Sequence, residues 1–217
     1  MPVDILDEEQ CMENLAGLGT DVYIGLKSDL TKPLVAEGPV YKLAEGVTFQ
    51  TMFKSGSGLW KVQCKDDSQQ IQGSSLGPNN GYELTCNFVV DKVNEKTAEL
   101  SRALNNRRDI FIIALDGEKS QIMYDNQRRV KFEQGGITSD TGAAPGDERQ
   151  TSYSAKISPV NYDHLYVQTP EDGWDSLLYN AKKRISGTDE SEGSPATQSL
   201  DEDPSFFNDE EFSVGDE

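Results

Sequence analysis

One stretch, Tyr82 to Gly117, narrows the possible folds more than any other: it reads strand, helix, strand. Tyr82, Leu84, Cys86, Phe88 and Val90 fall at every second position, and Glu83, Thr85 and Asn87 fill the alternate face. Period 2 with one polar face marks a half-buried strand. Asn94 stands where a helix N-cap would, because its side-chain oxygen can accept an orphan backbone N–H. From there to Asn105, Ala98, Leu100, Ala103 and Leu104 give one narrow apolar stripe. Arg102, Arg107 and Arg108 near its end suit the negative pole of the helix dipole. Ile110–Leu115 is a continuous apolar run, too short for a typical helix, and it predicts a central strand buried on both faces. Asp116-Gly117 is a turn dipeptide that would start a hairpin into Gln121–Tyr124. A single helix with one apolar stripe must pack on a sheet or a sheet-closed barrel.

Short alternating runs fill much of the remaining chain. Val22–Leu26 reads as a strand, and Ser28–Pro39, with two prolines, as a loop. Val47–Phe53 alternates, Ser55-Gly-Ser-Gly58 turns, and Trp60, Val62 and Cys64 alternate with Lys61, Gln63 and Lys65. That pattern predicts a glycine-tipped hairpin over Val47–Lys65. Ser68–Ile71, Gln121–Tyr124, Arg129–Glu133, Thr151–Ile157 and Leu165–Gln168 add further strands. Gln134–Glu148 holds four glycines and a proline and reads as an irregular loop. Eight to ten strands against one clear helix predict a mainly β chain, a sandwich or barrel with one flanking helix.

The domain reading has four parts. Residues 1–20 form an arm, 21–169 the β domain, 170–186 a helix or linker, and 187–217 an acidic tail. Trp174, Leu177, Leu178 and Ala181 lie near helical spacing ahead of Lys182-Lys-Arg184. They suit either a helix docked on the body or an amphipathic segment for a neighbouring subunit. The tail carries 11 of the chain's 38 acidic residues and no Lys or Arg, so of the net charge of −18 the first 187 residues hold −7. Such a stretch is expected to be disordered, because it buries too little apolar surface to offset its ordering entropy. Phe206, Phe207 and Phe212 stand among its acids, either as part of a solvated tail or as a partner-docking peptide.

Composition excludes several classes of chemistry. Cys11, Cys64 and Cys86 have no metal spacing and are odd in number, which argues against a disulfide framework, and Cys64 and Cys86, at apolar strand positions, read as small buried hydrophobes in a reducing compartment. The acidic N-terminus reads as no secretory signal, and no run approaches the ~20 apolar residues of a membrane span. No basic patch with interleaved aromatics is present to grip nucleic acid. His164 is the only histidine, and no nucleophile elbow accompanies it. The Gly135-Gly136 stretch does not match a phosphate-cradling pattern, and Asp140, Asp147 and Glu148 lack the spacing of a calcium loop. The expectation is no enzyme, no cofactor and no metal.

The order of features resembles a known family. Cys11 with Glu13-Asn14 and Gly17-Leu18 leads into the Val22–Leu26 strand. The Tyr82–Val90 strand runs into the helix Asn94–Asn105, and Ile110–Leu115 ends in Asp116-Gly117. Thr138-Ser-Asp-Thr-Gly-Ala-Ala-Pro-Gly-Asp147 then precedes the strand Thr151–Ile157 and a closing Tyr166. Over residues 11–168 this resembles the major tail, or tail tube, proteins of bacteriophages that infect Bacteroides-like gut bacteria. Segment 170–186 and the acidic tail depart from it.

The resemblance implies a structural virion protein, made in the host bacterial cytoplasm, whose subunits form rings, six-membered in that family. The rings would stack into a tube through which DNA passes without specific binding. Partners would be the chain itself and other phage tail proteins. Contacts between subunits are expected at Phe49, Phe53, Gly56, Gly58 and Trp60 of the hairpin, and at Thr141, Gly142, Gly146 and Asp147 of the glycine loop. Phe206, Phe207 and Phe212 would dock a partner. The competing readings are a head-to-tail connector, a tail terminator or another ring-forming component, and a monomeric β-sandwich binding module.

Overall fold

The structure is a computed structural model, and it describes residues 18–179 except 92, 108, 117, 118 and 144–146. The chain divides into two units, Met1–Ser186 and Gly187–Glu217; the second, with Phe206, Phe207 and Phe212, lies outside the described residues. So does Cys11.

The first unit is mainly β. Its strands are β1 (Asp21–Leu26), β2 (Val35–Glu37), β3 (Val40–Lys42), β4 (Trp60–Gln63), β5 (Gln70–Ser75) and β6 (Tyr82–Val90). Helix α1 (Glu95–Asn106) follows, and then β7 (Ile110–Asp116), β8 (Lys119–Met123), β9 (Lys131–Asp140), β10 (Gln150–Val160) and β11 (Tyr166–Val167). They build a seven-stranded sheet in the order β2-β3-β11-β8-β7-β1-β4 and a four-stranded sheet in the order β5-β6-β10-β9. Both sheets are open at their ends, so neither closes into a barrel.

β7 sits inside the larger sheet between β8 and β1, as its unbroken apolar run requires. Ile110 to Ala114 are all at most 1 % exposed. Each such side chain contributes roughly 1.5–3 kcal/mol of transfer free energy, Ala less. Asp116 pairs with Lys119, so the predicted hairpin into β8 is present. β1 is buried from Val22 to Leu26, and Gly25 is needed there: a methyl group at that position would come 2.4 Å from Cζ of Phe111.

In the smaller sheet β6 keeps its period. Leu84, Cys86 and Phe88 face the core, opposite Ile157, Ala155 and Tyr153 of β10. Phe88 and Tyr153 stack with ring centroids 4.8 Å apart. The core side chains of both sheets belong to one apolar cluster. The opposite face of the smaller sheet is polar, with Gln70, Gln72, Thr85, Asn87, Ser152 and Ser154.

Asn94 caps α1, accepting the Thr97 amide at 2.9 Å, while Thr97 returns its hydroxyl oxygen to the Asn94 amide at 2.9 Å. The buried stripe differs from the expected one. Thr97 and Leu104 are buried and Leu100 and Ser101 half-buried, whereas Ala98 and Ala103 face solvent. Tyr153 decides this, because its hydroxyl lies 2.9 Å from that of Ser101 and draws the Thr97–Ser101 edge inward.

Several other expectations are corrected. The Val47–Lys65 hairpin does not form. Phe49–Thr51 is a 3-10 turn, closed by a reciprocal Thr48–Thr51 capping box. β4 pairs instead with β1, Ile24 opposite Trp60. Alternation gave way because consecutive Met52 and Phe53 are both buried, which an isolated hairpin cannot provide. The loop Gln134–Glu148 is strand as far as Asp140; the pair Gly135-Gly136 forms a bulge in β9, with Gly135 at φ +79°. Ser28–Pro39 contains the short β2. Of the segment 170–186, expected as a helix or linker, the described part holds a 3-10 turn at Trp174–Leu177, a bridge at Leu178 and a helical position at Tyr179, and the rest lies outside the described residues.

Candidate functional site

The described residues form a broad groove of 1490 Å³ between the 43–56 segment and residues 168–179. One wall is held by backbone bonds to its surroundings. Thr31 donates its amide to Met52 at 2.8 Å and Lys54 to Asp29 at 2.8 Å, and Phe53 bridges to Leu30. The other wall turns at Gly173, whose φ of +70° favours glycine. Trp174 then inserts into the core and donates its indole N–H to Ser120 Oγ at 2.8 Å. Phe49 meets the Trp174 ring edge-on at 6.1 Å, joining the two walls.

The second wall is fastened by β-type pairing. Leu59 donates its amide to Leu177 O at 2.9 Å, and Tyr179 returns one to Leu59 O at 3.1 Å. Gly58 permits this approach, since a Cβ there would lie 2.7 Å from both Leu177 O and Tyr179 N. A polar tie adds to it. Tyr23 donates its hydroxyl to Asp175 at 2.8 Å, and Lys61 lies 3.1 Å from Asp175 and 3.0 Å from Asp21. Burial, and then the Asp175 carboxylate, push the Tyr23 phenol up to about 12. The hydrogen bond from Tyr23, with help from Lys61, holds Asp175 below the usual carboxylate range. The hydrogen bond to Asp21 leads in raising Lys61 above the ordinary ammonium value.

The structure brings Phe49, Phe53 and Gly56 together in the groove. Gly58 is buried behind its second wall, and Trp60 is 40 % exposed on the edge strand β4. Thr141, Gly142 and Asp147 sit apart in the β9–β10 connection, and Gly146 lies outside the described residues. The carboxylates there serve the loop: Asp140 accepts the Gly142 amide at 2.9 Å, Asp147 accepts that of Ala143 at 2.8 Å, and Glu148 pairs with Lys65. Among the described residues no three His, Cys, Asp or Glu side chains gather as a metal-binding group. His164 lies partly exposed, 3.8 Å from Asp163.

Cys64 and Cys86 are buried and free. Burial pushes their thiols up to about 11 and about 12, the opposite of what an activated thiolate needs. Sequence reasoning missed Tyr23, Lys61 and Asp175, which meet only because segment 173–178 returns to β1 and β4. No local pattern signals that meeting.

A second feature is the smaller sheet. Among the described residues β5 and β9 form its edges, each bonded to a strand on one side only. Lys156, on its polar face, lies 3.2 Å from Glu133 and 3.5 Å from Glu83, and its ammonium is raised by the hydrogen bond to Glu133. No described helix is long and apolar enough to cross a membrane. Comparison with known protein families, curated proteins and solved structures found no match.

Proposed function

We propose that this chain is a structural, non-enzymatic subunit of a phage tail tube, a β-sandwich that assembles into stacked rings, six-membered as in the family it resembles. The observation that carries this reading is the open four-stranded sheet, with the unlike edges β5 and β9 and a polar outer face. An unpaired edge is a template for another strand. Joining one edge to a different edge on the next copy is a heterologous contact, which closes into a ring when the rotation allows. The polar face would then line a conduit. Its hydroxyl and amide groups offer phosphates little attraction; of its lysines, Lys156 sits between two carboxylates and Lys131 stands opposite it on β9. DNA affinity depends on cations that neutralise phosphates, so such a wall lets DNA slide. Exposed Trp60, on the edge strand β4, would contact a neighbouring subunit.

Negative-stain microscopy of the purified chain tests this. Rings and tubes are expected as concentration rises. Rings that never stack would move the assignment to a connector or terminator. A chain that stays monomeric at high concentration would remove the assembly reading in favour of a binding module.

A further inference from the structure

The groove carries a charge imbalance that its walls do not neutralise. Glu45 stands on one wall and Glu171 and Asp172 on the other, all three exposed. None of these carboxylates forms an ion pair among the described residues. Among the described residues lining the groove Lys54 is the only cation, and its ammonium donates to Ser28 O at 2.5 Å. Lys32 reaches the backbone carbonyl of Glu45, not its carboxylate. Beside the acids stand half-buried Phe49 and Tyr179, the latter 48 % exposed. The surface therefore asks for a ligand with several cations and some apolar bulk.

The chain supplies one beside it. The described residues end at Tyr179, which itself lines the groove. The next residues, Asn180-Ala-Lys-Lys-Arg-Ile-Ser186, carry three cations and one large aliphatic side chain. We propose that residues 180–186 of the same chain occupy this groove, with Lys182, Lys183 and Arg184 facing Glu45, Glu171 and Asp172. Exposed ion pairs are individually weak and salt-sensitive. Tethering changes the balance, because a segment attached at the groove wall acts at an effective concentration in the millimolar range. Three weak pairs and an isoleucine can then populate the seat. A loose peptide of the same sequence would not hold it. The seat is a property of one chain and does not depend on ring formation.

The test uses the full chain at a concentration where sedimentation shows a monomer. Amide hydrogen exchange is followed in peptides covering 43–56. The variant K182E/K183E/R184E is expected to speed exchange there by roughly five-fold, leaving β6 and β10 unchanged. Adding E45K/E171K/D172K to it should restore the slow rate, because opposite charges again face each other. Zero-length carbodiimide cross-linking of the wild-type chain should join Glu45 to Lys182 or Lys183 within a monomer. Unchanged exchange in the reversed variant, or failure of the swap to restore protection, overturns the proposal. So does a Glu45 cross-link found only between chains, or protection that grows with protein concentration, since the occupant would then be a second copy.

Discussion

Tyr23 and Asp175, 152 positions apart in the chain, are joined by a hydrogen bond of 2.8 Å. It links the third residue of the larger sheet's β1 to the 3-10 turn that closes the groove. The carboxylate is shared with Lys61, so three side chains from three segments fasten the last described stretch of chain.

This tie makes stability depend on pH at both ends. The Asp175 carboxyl is lowered by folding, so its contribution is present above the unfolded value near 4 and fades as pH falls through the lower folded one. The Tyr23 phenol is raised to about 12, so its contribution is complete below the unfolded value near 10 and is lost as pH climbs toward 12. Asp175→Asn is expected to flatten both flanks of the urea-midpoint profile. At neutral pH it should cost under about 1 kcal/mol, because Asp175 is more than half exposed. A profile unchanged by the substitution would show that the bond carries no stability.

Gly58→Ala tests how closely the groove wall must approach. The new Cβ would meet backbone atoms at 2.7 Å, and backbone cannot swing aside as a long side chain can. A loss of about 1–3 kcal/mol is expected from urea denaturation. Trp174, at 2 % exposure, should shift its fluorescence to longer wavelength as the wall lifts. Gly56, two residues earlier, has open space around its Cβ position, although its φ of +78° strains any other residue, so Gly56→Ala should leave Trp174 fluorescence unchanged.

On α1 the observed stripe and the expected one make different predictions. Leu104→Ala should cost about 2–5 kcal/mol, because Leu104 is 4 % exposed. Ala98→Ser should cost within about 0.5 kcal/mol, because Ala98 faces solvent. Asn94→Ala should cost about 1 kcal/mol through loss of the cap. Thermal unfolding of the three variants ranks them, and a large loss at Ala98 would favour the sequence-derived stripe.

Strong local signals were legible before the structure. β6 follows from Tyr82–Val90 because a half-buried strand imposes period 2 directly on the sequence. β7 follows from Ile110–Leu115 because only a strand covered on both faces tolerates six apolar residues in succession. The Asn94 cap is local too, since donor and acceptor are three residues apart. The failures share the opposite character. Val47–Phe53 alternates as a strand does, yet Thr48–Thr51 closes it into a turn and β1 takes β4. Gln134–Asp140 is glycine-rich as a loop is, yet β10 supplies the partner that makes it a bulged strand.

The candidate site divides in the same way. Phe49, Phe53 and Gly56 were read as parts of one hairpin, whereas the structure sets them in one groove wall with Phe53 buried. Trp174 was legible as apolar but was placed on a helix face. The sequence by itself determined the mainly β character and the central strand–helix–strand unit, because each rests on contacts within a few residues. Only the tertiary structure decided which strands are neighbours and where the sheets end. It also decided that Tyr23, Lys61 and Asp175 meet, because pairings across 50 to 150 residues depend on the shape of the whole core and leave no periodic trace along the chain.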